Sequence, residues 1–166
     1  MRVHVLYFYQ LINELTQNDV QDGLILSSPL VASIDRTIKR AISEKVRPFE
    51  LQQDRLLGLI NFSDALGIKI TNIEFTTELD PDLEDELQTA IQNQDYRKMK
   101  AVITEIKFDF SIDILALSYM QDGRPYRITK FAVAEIPADY MELPSLAFSP
   151  PIAFATGISK YSVERV

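Results

Sequence analysis

Six carboxylates crowd into nine residues: Glu78, Asp80, Asp82, Glu84, Asp85 and Glu86. Clustered carboxylate oxygens are the usual ligands of hard divalent cations, and Asp80, Asp82 and Glu84 alternate as ligands do in a calcium loop. The pattern then breaks. Its sixth position is Asp85, where the turn requires glycine, and its twelfth is Ile91, where a bidentate glutamate belongs. A helix start accounts for every residue. Asp80 serves as N-cap, Pro81 suits the first helical position, and the remaining acids favour the positive end of the helix dipole. Leu83, Leu87, Ala90 and Ile91 then form a buried stripe. The expectation is an acidic helix without a specific metal site.

Other chemistries are bounded by what the chain lacks. It has no cysteine, so disulfides, thiolate metal sites and cysteine nucleophiles are excluded. His4 is the single histidine, so any Ser-His-Asp triad must use it, and it sits in a run of buried-strand character. Five scattered glycines offer no phosphate loop. No cofactor is expected. Arg36, Lys39, Arg40, Ser43 and Arg47 fall on one side of an expected helix, and Arg36, Lys39, Arg40 and Arg47 are the candidate binding residues for phosphate or an acidic partner surface. No aromatic residues interleave with them, as a stacking single-strand binder requires.

The charge is uneven. The net charge is -7, yet residues 70–96 hold eight acids and no Lys or Arg, while the segments on either side are close to neutral. Bulk attraction to nucleic acid or an anionic membrane is therefore disfavoured. At 166 residues the chain is long enough to bury about two thirds of its unfolded surface. The apolar run from Val3 to Ile12 is too short to span a bilayer and lacks a signal-peptide cleavage pattern, so a cytoplasmic location is expected.

These residues need elements to position them. Val3 to Tyr9 is apolar on both faces and predicts a central strand. Leu11 to Asp19 suggests a short helix, Asp22-Gly23 a turn, and Leu24 to Leu26 a second strand. Ser28 and Pro29 open an amphipathic helix running to about Val46, and Pro48 opens a second, closed by Gly67. Ile68 to Phe75 reads as a strand whose phase slips near Asn72, which predicts a bulge. After the acidic helix, Ile106, Phe108, Phe110, Ile112 and Ile114 alternate with polar residues and predict a half-buried strand. Asp122-Gly123 predicts a hairpin turn, with a return strand through Tyr126, Ile128 and Phe131 to about Ile136.

Pro81-Asp82 is followed, 23 positions after the aspartate, by Glu105, with Lys107 two residues further on the expected strand. This arrangement resembles that of restriction-type nucleases, in which an aspartate and a Glu-x-Lys strand serve one site. The resemblance implies carboxylates Asp82 and Glu105 on Mg²⁺, and Lys107 positioning the attacking water.

The fold expected is α+β: a mixed or antiparallel sheet with two consecutive helices packed on one face, a third acidic helix, and a proline-rich extended C-terminal arm. Residues 1–136 form one domain, and residues 137–166 an arm packed on the body or on a partner subunit. Four prolines there oppose long regular structure, while seven large apolar residues oppose a solvated tail. The leading functional reading is a non-enzymatic binding or assembly protein. It would act through protein-protein contacts and form a homo-oligomer through the arm. The Mg²⁺-dependent nuclease is the alternative.

Overall fold

The computed structural model describes residues 3–11, 22–28, 46–48, 50–137, 149–156 and 160–165. The fold is α+β. The chain divides into two compact units, Met1–Leu51 with Phe131–Val166, and Gln52–Lys130. The boundary expected after residue 136 thus falls inside the first unit.

In the first unit β1 (Val3–Leu11) is central, as its apolar character suggests. β2 (Asp22–Ser28) lies antiparallel along one side, with Tyr7 opposite Leu26. The other side is shared by β7 (Val133–Pro137), opposite Val3–Tyr7, and the short β3 (Val46–Pro48), opposite Tyr9–Leu11. β8 (Lys160–Arg165) extends the sheet by pairing parallel with β2. The sheet is therefore mixed.

Several expectations in this unit are corrected. Asp22 and Gly23 begin β2 instead of making a turn. Val46 and Arg47 lie in β3, not at the end of a helix, and Pro48 ends that strand instead of opening a helix. Proline is tolerated there because a strand end needs no further ladder donor. Leu11 ends β1, and the rest of the expected short helix, like residues 29–45, lies outside the described residues. The return strand stops at Thr129; Ala132, in the left-handed region at φ 57°, separates it from β7. Where described, the expected extended arm is a helix, α5 (Pro150–Thr156), followed by β8. Pro150 and Pro151 occupy the first turn of α5, where the missing N–H groups have no helical partner to lose. Ile152 and Ala155 of that helix are buried.

The second unit is built around a three-stranded antiparallel meander. β4 (Lys69–Phe75), β5 (Ile114–Gln121) and β6 (Arg124–Thr129) are adjacent in that order. The register of β4 on β5 slips between Ile70 and Asn72, where the apolar phase predicted a bulge. Asp122 and Gly123 take positive φ angles of 51° and 75° at the β5–β6 turn, as Asp-Gly allows. Tyr119 and Tyr126 stand opposite each other in register and stack, with centroids 5.2 Å apart. Burial first, and the neighbouring Tyr126 second, push the Tyr119 phenol well above its ordinary range, so it is not a candidate base near neutral pH.

Four helices complete this unit. α1 (Gln53–Asn61) buries Leu56, Leu59 and Ile60. A short α2 (Ser63–Leu66) ends at Gly67, whose φ of 70° makes it the left-handed cap that its position suggested. Beyond its chain neighbours, a methyl group added at Gly67 would meet no atom within 4 Å. Gly67→Ala should therefore lower stability only by its backbone term, about 1–2 kcal/mol, read by urea unfolding. The acidic helix α3 (Pro81–Gln92) buries Leu83, Leu87, Ala90 and Ile91, the expected stripe.

α4 (Tyr96–Phe110) stands where a strand was expected. Asp95 caps it, its Oδ1 accepting from the Lys98 amide at 3.1 Å, and Ser111 ends it in the left-handed region. Met99, Val102, Ile103 and Ile106 form its buried stripe at helical spacing. The alternation at Ile106, Phe108 and Phe110 is real but does not mark one face. Ile106 is fully buried, while Phe108 and Phe110 are 77% and 51% exposed.

Candidate functional site

The six clustered carboxylates resolve into a helix start. Asp80 Oδ1 accepts from the Asp82 amide at 2.9 Å, and Asp82 and Glu84 lie in the first turn of α3. Glu86 reaches Lys98 at 3.9 Å, an exposed pair of little energetic consequence. Among the described residues no three His, Cys, Asp or Glu side chains gather closely enough to hold a metal ion. Calorimetric titration with Ca²⁺ and Mg²⁺ should show no saturable heat at micromolar concentrations; a stoichiometric site would contradict the cap reading. Asp80→Ala should instead lower stability by about 1 kcal/mol through loss of the cap.

The other sequence candidates are dispersed. Asp82 lies in the first turn of α3, and Glu105 and Lys107 lie on α4, not on a strand. On a helix, positions two apart project about 200° from each other, so Glu105 and Lys107 do not share the face that a Glu-x-Lys strand would give them. No hydrogen bond or ion pair joins any two of the three among the described residues. The geometric premise of the nuclease resemblance is therefore lost. Arg36, Lys39 and Arg40 lie outside the described residues, and Arg47 stands opposite Gln10 in β3.

What the second unit does assemble is an open cleft of about 710 Å³ beside β4. Residues 72–79 form one wall. Pro81, Glu84, Leu87 and Gln88 of α3 form the other, and Leu115 reaches it from β5. Glu74 on β4 is held by Arg127 on β6, with Nε donating to Oε2 at 2.7 Å and Nη2 to Oε1 at 3.3 Å. That forked pair fixes one carboxylate at the sheet. Glu78 and Glu84 stay exposed.

No protein family, curated protein or solved structure matches this chain.

A second surface feature lies on α4. Phe108 stands 77% exposed on the solvated side of the helix, one turn beyond Thr104 and Glu105, which are also exposed. Phe110 continues the Ile106 side past the end of the packed core. Sequence reasoning placed both in the core. The signal that could have separated them is the competing stripe of Met99, Val102, Ile103 and Ile106, which leaves Phe108 outside.

Proposed function

We propose that the protein is a non-enzymatic binding or assembly protein that works through protein-protein contacts. The observation that carries this reading is Phe108, a large aromatic side chain 77% exposed on an otherwise polar helix face. Burying a phenylalanine against a partner contributes about 1.5–3 kcal/mol, and aromatic anchors dominate interface energetics. Phe110, half exposed at the same helix end but on the Ile106 side, is a second exposed aromatic. Among the described residues no helix is long and apolar enough to cross a membrane.

The test is the double variant Phe108→Ser, Phe110→Ser. Its Tm should stay within about 3 °C of the parent, since a solvated side chain contributes little to stability. Its assembly mass by native mass spectrometry, or its yield of co-purified protein, should fall. An unchanged assembly mass together with unchanged co-purified protein would refute the contact. The basic residues Arg36, Lys39 and Arg40, together with Arg47 from β3, belong to the same proposal as a charged contact. Reversing Arg36, Arg40 and Arg47 to glutamate should weaken association in a salt-dependent way, because surface charges steer and are screened.

A further inference from the structure

We propose that the open edge of β4 takes an extended, basic peptide segment as an added strand, in the cleft between that edge and α3. This names a partner for a surface separate from Phe108 and Phe110, so its failure would leave the reading above standing.

Among the described residues β4 pairs with β5 alone, so its other side presents unpaired backbone N–H and C=O groups. Such an edge is a template for strand addition. One end is closed, because Gln94 Nε2 donates to the Ile70 carbonyl at 2.9 Å. Beyond it, Asn72, Ile73, Glu74 and Phe75 all border the same cleft. Successive strand residues point to opposite faces. Asn72, Ile73 and Glu74 alternate before the register slips again at Phe75, so a space that all three border lies along the strand's side, where the backbone is accessible. Thr76 and Thr77, in the bend that follows the strand, prolong this wall to six residues.

The helix supplies the opposite wall at helical spacing: Pro81, Glu84 and Gln88 face the cleft, with Leu87 beneath. An added strand would therefore lie between a sheet edge and a helix. Its backbone would meet β4, and its side chains would alternate between the apolar floor and the acidic rim.

Charge selects the occupant. Residues 70–96 carry eight acids and no Lys or Arg. Glu74 is already matched by Arg127, whereas no cation among the described residues pairs with the exposed Glu78 or Glu84. A second copy of this chain pairing edge to edge would bring two such acidic segments together, and like charges across strands are unfavourable. A segment with Lys or Arg at alternate positions and β-branched residues between them complements both rim and floor.

The experiment uses the full chain and a fluorescein-labelled octapeptide of alternating lysine and valine, read by fluorescence anisotropy at low salt. Two control peptides accompany it, one with alternate backbone amides N-methylated and one with glutamate in place of lysine. The lysine peptide should bind saturably and slow hydrogen exchange between Asn72 and Phe75. The N-methylated peptide keeps the charge and should bind at least tenfold more weakly. The glutamate peptide should not bind. Glu78→Lys with Glu84→Lys, both at exposed positions, should weaken the lysine peptide about tenfold or more. Absence of saturable binding overturns the proposal. So does equal affinity for the N-methylated peptide, which would mean charge attraction without strand pairing, or equal affinity for the glutamate peptide.

Discussion

Ile106→Ala should lower stability by about 2–5 kcal/mol, while Phe108→Ala, two residues on, should change it by less than about 0.5 kcal/mol. Ile106 is fully buried and Phe108 is 77% exposed, because a helix turns the two to different sides. On a strand they would share one face and the two substitutions would cost similar amounts. Urea unfolding of the two variants separates these cases directly. Comparable losses at both positions would refute the helical assignment of residues 96–110, and with it the placement of Phe108 on a partner-facing surface.

Gln53→Leu should lower stability by about 2–4 kcal/mol, a large effect for a half-buried polar side chain. Gln53, at the start of α1, treats Ile114 as a neighbouring strand would. Its Oε1 accepts from the Ile114 amide at 2.7 Å, and its Nε2 donates to the Ile114 carbonyl at 2.9 Å. Leucine preserves the size and strands both backbone groups, each worth about 1–3 kcal/mol when desolvated, with some recovery from nearby solvent. Gln53→Glu refines the test. An ionised carboxylate can accept from the amide but repels the Ile114 carbonyl, whereas a protonated one can donate to it. Folding therefore raises this carboxyl's pKa above about 4.3, and the deficit is largest at neutral pH and shrinks as pH falls through the folded value. Relative to Gln53→Leu at the same pH, the Glu variant should gain stability on acidification. Parallel pH profiles for the two variants would count against the paired hydrogen bonds.

The sequence was most legible where local chemistry decides structure. Asp80-Pro81, Gly67 and Asp122-Gly123 act through their own side chains or backbone freedom, and each sits where its type demands. The bulge after Ile70 was visible because a phase slip in a period-two pattern has few other causes. Failures came where tertiary pairing overrides local preference. Val46 and Arg47 continue a helical pattern in sequence yet pair with β1. Ile106, Phe108 and Phe110 satisfy strand periodicity by accident, because two exposed aromatics fall in phase with one buried isoleucine. The cleft beside β4 could not be seen at all. It depends on which edge of a sheet stays uncovered, a property of strand order that no local pattern encodes. Only its charge, eight acids without a cation from residue 70 to 96, was on view beforehand.

The clasp between Gln53 and Ile114 has a companion. At the other end of the same unit, the Lys130 amide donates to the carbonyl of Leu115, the very next residue, at 2.8 Å. The chain therefore enters and leaves the Gln52–Lys130 unit at one point, fastened on both sides of a single peptide link. A polypeptide whose two ends are already joined can be closed into a ring by a short linker, or reopened at Asp122-Gly123, with little loop-closure entropy to recover.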